Sequence, residues 1–237
     1  MTPWQKMLLG VAASGAVFKA LSFGRLPFGR AVAYATLWPG MDPRPFARSQ
    51  PPEGVGLMAW GACKMAFGAA LLLFARTGQR WVDSAIVILG IGFLMHLGFL
   101  DAVTGFWRLR GFPVERLFVN PAAARSLGDF WGRRWNVPFS TVARERVFRP
   151  VARRWGSTWG VMATFAFSGL LHEIVISLPA GGGYGLPSVY FLLQGSLVLA
   201  ERRFGLGGRI WTVFWLAAPV PLLFHAPFLR VIIGPLL

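Results

Sequence analysis

The sequence predicts an all-α, polytopic helical membrane protein of one domain, 1–237, with about six spanning helices and further interfacial or re-entrant helices around a central cavity. Three observations carry that prediction. The chain is 55% hydrophobic with a mean hydropathy of +0.54. Several of its apolar runs approach the roughly 20 residues that cross a hydrocarbon core of about 30 Å. A soluble domain of 237 residues could not bury so many such runs at once.

The first run, Trp4 to Phe23, has the small residues of a signal peptide, but the later spans favour an uncleaved first helix. Residues 24–54 are rich in Pro, Gly and Arg and read as a connector. Its apolar patch at 31–38 is too short to span and is expected to be interfacial or re-entrant. Val55 to Ala75 is the second span, with Lys64 near its middle, and Trp81 to Trp107 the third, with His96 and Asp101 toward its end. Thr158 to Leu178 is the fourth, followed by the uncharged turn PAGGGYGLP. Leu186 to Ala200 is a short fifth. Ile210 to Ile233 is the sixth, where Pro219, Pro221 and Pro227 predict a kink toward the bundle interior.

The net charge of +15 would suggest nucleic acid in a soluble protein. Here the basic residues lie between the apolar runs, the pattern of loops facing anionic headgroups, so membrane lipids are expected as partners and nucleic acid is not. The 108–154 connection carries eleven arginines against Glu115, Asp129 and Glu145. Alternation of six spans puts the basic connections on one side, which the positive-inside rule makes cytoplasmic, with both termini opposite. The lone Cys63 excludes an intrachain disulfide, and the scattered His96, His172 and His225 lack the spacing of a zinc site, so no metal is expected.

Candidate chemistry lies between Asn120 and Leu178. Asn120-Pro121 reads as a helix start, and Leu127, Phe130, Trp131 and Trp135 form one apolar stripe. Asp129 and Arg133, four apart, can pair. Pro138 is expected to end the helix near Asn136, presenting Arg133, Arg134 and Asn136 beside two tryptophans at the membrane interface. Taken alone, that helix is a headgroup anchor. In the fourth span Thr164, Ser168 and His172 make a polar stripe, and Gly169 permits close approach of a neighbouring helix. A titratable group in hydrocarbon is costly unless paired or facing a wet cavity, which makes His172 a site candidate rather than packing. Glu173 lies about 100° round the helix from it, placed to polarise the site or to satisfy a buried donor. Lys64 either lines a substrate path or pairs with Asp101 or Glu173, while His96 and His225 read as core or cavity-lining residues.

SLGDFWGRRWN followed by FSGLLHE resembles the membrane-bound O-acyltransferase superfamily, in its wax-synthase-like branch. HEIVISLP is similar to the histidine region of the diacylglycerol and sterol acyltransferases in that superfamily. The resemblance covers roughly residues 120–180, with WPG at 38–40 as lesser support. It implies that His172 is the catalytic base, that Asn136 is the asparagine of the second motif, and that acyl-CoA is the donor. A lipophilic alcohol is then the acceptor, with a long-chain fatty alcohol first and a sterol, diacylglycerol or secondary metabolite as alternatives. No cofactor is implied beyond acyl-CoA as co-substrate. Arg133, Arg134, Trp131, Trp135, Ser168 and Glu173 are the expected substrate-binding residues, in a multi-pass protein of a bacterial cell membrane. The rival class is a proton-coupled transporter using Lys64, Asp101, His172 and Glu173, against which stands the lack of an inverted repeat.

Overall fold

The computed structural model describes residues 1–22 and 26–237. The end of the first apolar run at Phe23 and the opening of the connector at Gly24-Arg25 lie outside the described residues. Among those described, the chain is helical and has no strand. It forms two compact units, one of 17–118 and 236–237, the other of 1–16 and 119–235.

The 17–118 unit is built on α3 (Val55–Phe74) and α4 (Arg80–Leu109), joined by a tight turn in which Asp83 accepts from the Thr77 amide and hydroxyl, both at 2.8 Å. Gly61 and Gly68 lie seven residues, two helical turns, apart on one face of α3. A Cβ at Gly61 would lie 2.6 Å from the Ala102 nitrogen, and one at Gly68 2.6 Å from the Leu94 nitrogen. Backbone therefore packs on backbone, the small-residue contact that lets helices associate where lipid removes the hydrophobic driving force. Lys64 pairs with Asp101 at 2.5 Å, and Arg116 takes both oxygens of the same carboxylate at 2.9 and 2.6 Å. Of the alternatives for Lys64, the structure thus gives the ion pair with Asp101. Helix α2 (28–37) is the apolar patch of the connector. Beyond it, Phe46 is fully buried against Trp107 and Phe112, with ring centroids 5.1 and 5.0 Å away. Helix α1 is Pro3–Ser22.

The other unit contains α5 (127–134), α6 (137–155), α7 (Ser157–Ala180), α8 (Leu186–Phe204), α9 (Arg209–Leu223) and α10 (Ala226–Leu236). Leu127, Val161, Phe165, Tyr190, Phe191 and Val198 form its buried core, so α5, α7 and α8 meet there. Helices α7 and α8 cross at Gly169, where a Cβ would lie 2.8 Å from the Ser188 Cα. The close approach read into Gly169 is therefore present, and its partner is α8.

Six spans are not found. Among the described residues three helices, α3, α4 and α7, are long and apolar enough to cross a membrane, or up to four if the bent pair α9 and α10 is one span. Helix α8 has the length but carries Gln194, Glu201, Arg202 and Arg203. Helix α1 carries Lys6 and Lys19 among small residues, and the Lys19 ammonium turns to the carbonyls of Tyr34 and Trp38. The expected sixth span carries the break its prolines predict: α9 and α10 meet at a 69° bend. His225 caps α10 there by accepting from the Phe228 amide at 3.3 Å. Without six spans, the alternation that set loop orientation has no structural basis.

Candidate active site

The site begins with the backbone of α7. His172 Nδ1 lies 2.7 Å from the carbonyl oxygen of Ser168, one turn earlier. A carbonyl can only accept, so Nδ1 carries the proton and donates, which leaves the lone pair on Nε2. The ring is half-buried and lies on Phe191 of α8, with centroids 4.3 Å apart. Immediately after His172 the helix widens into a π turn, Glu173–Ser177, a local geometry common at functional sites.

Glu173 turns away from His172. Its Oε1 accepts from the Gly185 amide at 3.1 Å and from the Ser188 amide and hydroxyl at 3.0 and 2.8 Å. These are the orphan donors at the start of α8, so the carboxylate caps that helix from outside, where the helix dipole also favours it. Oε2 is buried with no hydrogen-bond partner among the described residues, and Ser177 Oγ lies 3.2 Å from His225 Nε2. Because His225 Nδ1 accepts from Phe228, Nε2 is the protonated nitrogen and donates to Ser177. His225 is thus a satisfied core histidine that ties α10 to the π turn after His172. His96 lies in the 17–118 unit with its ring edge-on to Phe118, the centroids 5.7 Å apart.

The basic motif folds differently from the single helix expected over 120–136. Residues Pro121–Ala123 form only a 3-10 turn, and Ser126 caps α5 by accepting from the Asp129 amide at 2.9 Å. Helix α5 closes in a π turn, Phe130–Arg134. Pro138 does not stop it. Proline sits in the first turn of α6, where its missing N–H costs nothing, and the break is made by Asn136 in the left-handed region at φ 44° and ψ 58°. Asn136 tolerates that region better than most residues, and among the described residues its side chain makes no hydrogen bond, to His172 or elsewhere.

Trp131 donates to the Gln194 side chain at 3.1 Å and packs on Phe191, the ring that also carries His172. Trp135 stacks on Phe130 at 5.3 Å. Ser168 is buried, and its carbonyl orients the imidazole. Asp129 pairs with Arg133 at 3.0 Å and with Arg134 at 2.6 Å. Burial alone would push Asp129 up, but Arg134 and then Arg133 hold its carboxyl below the ordinary carboxylate range. Arg125, Ser126, Asp129, Arg133 and Arg134 line an open cleft of about 540 Å³ with Val119 and Ala123. His172 lines neither this cleft nor the smaller one beside Arg44.

Three residues escaped the sequence reading: Phe191 beneath His172, Gln194 on Trp131, and Glu201, which accepts from the Leu127 and Gly128 amides at 2.7 and 3.0 Å. Gln194 and Glu201 are polar residues buried in a mostly apolar helix, the signal that singled out His172. Among the described residues no group of three His, Cys, Asp or Glu could hold a metal ion.

Residues 114–193 match the model of the membrane bound O-acyl transferase family. A probable long-chain-alcohol O-fatty-acyltransferase 7 of Arabidopsis thaliana is 38% identical over 104 residues, covering 38% of this chain and 30% of the relative. A probable long-chain-alcohol O-fatty-acyltransferase 1 of the same plant is 42% identical over 87 residues, 33% of this chain and 25% of the relative. The long-chain-alcohol O-fatty-acyltransferase of Simmondsia chinensis is 38% identical over 65 residues, 24% of this chain and 18% of the relative. The chain spans under a third of the length of these curated relatives, all from plants, which lend no support to a bacterial membrane. No solved structure matches it. The segment that holds His172, Asn136 and the arginine cleft is thus similar to the membrane bound O-acyl transferase family and to long-chain-alcohol O-fatty-acyltransferases.

Proposed function

We propose that this protein is a membrane-embedded O-acyltransferase that moves a fatty acyl group from acyl-CoA to the hydroxyl of a long-chain alcohol, forming a wax ester and free CoA. The observation that carries the reading is the state of His172: Nδ1 is committed to the Ser168 carbonyl, and Nε2 is left as a base on a half-buried ring in an apolar helix.

In this reading Nε2 takes the proton of the alcohol as its oxygen attacks the thioester carbonyl. The new C–O bond gives a tetrahedral intermediate, the C–S bond breaks, and the imidazolium returns the proton to the departing CoA thiolate. Asn136, whose amide is otherwise unused, is the donor we assign to the oxyanion. The cleft at Arg125, Arg133 and Arg134 takes the phosphates of the donor, for which guanidinium forks are suited. Trp131, Trp135 and Glu173 serve this site by fixing its walls. The relatives' names support a lipophilic alcohol as acceptor.

Lipid analysis of cells expressing the protein, with and without fed hexadecanol, tests the reading. A wax ester that appears only with both protein and alcohol, and not with His172→Ala, is the expected result. Esters of sterol or diacylglycerol instead would move the acceptor within the same reaction class, and no new ester of any kind would contradict the reading.

A further inference from the structure

Helix α8 contacts the site at several points along its length. Glu173 caps its start through Gly185 and Ser188, Phe191 underlies His172, Gln194 holds Trp131, and Glu201 closes the last turn. Glu201 is buried, and its carboxylate is shared by three donors: the Leu127 amide at 2.7 Å, the Gly128 amide at 3.0 Å and the Trp211 indole at 2.9 Å. The first two are orphan donors at the start of α5, the helix that carries Asp129, Arg133 and Arg134. Arg125 is fixed from the same side, its carbonyl accepting from the Gly208 amide at 2.7 Å. The helix that carries the cleft arginines thus starts on the Glu201 carboxylate.

We infer that Glu201 is a positioning residue for the donor, holding the start of the helix that carries the cleft arginines. This inference rests on the acyltransferase reading. The part of the donor it serves is the phosphate end of the proposed CoA thioester. An acyl-pantetheine, which has the thioester but no phosphates, would leave the cleft empty.

The test uses the full chain in detergent with His172→Ala, so that binding is measured without turnover. Palmitoyl-CoA and S-palmitoyl-pantetheine are titrated separately. The CoA thioester should bind at least about tenfold more tightly than the pantetheine thioester. Adding Glu201→Ala should weaken palmitoyl-CoA about tenfold and leave palmitoyl-pantetheine unchanged. Trp211→Phe, which removes only the third bond, should stay near the parent for both. Should Glu201→Ala fail to fold, Glu201→Gln, which keeps one accepting oxygen, should show the same donor-specific loss in smaller measure.

Equal weakening of both donors would mean a general structural role and would overturn the inference. Tighter binding of palmitoyl-CoA would also overturn it, since deleting a negative charge near arginines has that sign and lost positioning has the opposite one. Turnover by the wild-type chain with hexadecanol reports on the acyltransferase reading separately. Absent turnover with the donor preference intact contradicts that reading and leaves the role of Glu201 standing.

Discussion

The roles proposed for His172 and Asn136 rest on backbone geometry that can be tested one residue at a time. Asn136 sits in the left-handed region, so an alanine there would mix the loss of an amide with backbone strain of about 1 kcal/mol. Glycine adopts that conformation freely. Asn136→Gly is therefore expected to keep the unfolding midpoint while lowering kcat about 10²-fold, the effect of deleting one oxyanion donor. Retained kcat would reduce Asn136 to a turn residue. The pairing of Asp129 with Arg133 and Arg134 predicts a pH dependence of the cleft. A carboxyl held below its unfolded value of about 3.9 contributes stability that is fully present above that pH and is lost as pH falls through the lower folded value. Stability measured down a pH series should therefore lose this contribution only below about pH 4, and Asp129→Asn should remove the step.

His172 was legible in the sequence because a titratable side chain in an apolar run has to be explained. Its tautomer was not, because that depends on the direction of one carbonyl. Glu201 was passed over because Arg202 and Arg203 follow it and the segment reads as a solvated turn. Its burial is set by α5 and by Trp211, contacts far away in the chain.

At the scale of elements, the crossing of α7 with α8 is the contact on which the site depends most. The Gly169→Ala methyl would have to displace the Ser188 backbone, against which no flexible side chain can yield. Overpacking of this kind costs about 1–3 kcal/mol. Ser188 is also a donor to Glu173, so activity should fall together with thermal stability, and an unaffected midpoint would show that the two helices separate freely. The Gly169 contact was readable because a small residue on an apolar helix asks for a close neighbour, though which helix supplies it was not. Proline misled in one place. Pro138 restricts the residue before it in the same way whether it ends one helix or begins the next, and only Asn136 in the left-handed region decides for the second. The bend between α9 and α10 was anticipated by Pro219, Pro221 and Pro227, but its cap, His225, was not.

At the scale of the whole molecule, all-helical membrane architecture followed from composition, while the number of crossings did not. Apolar runs were counted without knowing where a helix places its charges, and Gln194, Glu201, Lys6 and Lys19 separate α8 and α1 from the spanning set. With α3 and α4 as an antiparallel spanning pair, Gln50 and Gly111, joined by a 2.9 Å backbone bond, lie at the same membrane face. In a Cys63→Ser background, single cysteines at 50 and 112 should label from one side only, and the same side for both. Opposite accessibility would refute the pair.

The central claim is that the free Nε2 of His172 is the base for acyl transfer from a CoA thioester to an alcohol. Its most direct test is turnover of the purified full chain with palmitoyl-CoA and hexadecanol, following CoA and wax ester together. Equal amounts of the two products are expected from the wild type, with His172→Ala folded but slower by roughly 10²–10⁴-fold. A folded His172→Ala protein that turns over at the wild-type rate would contradict it.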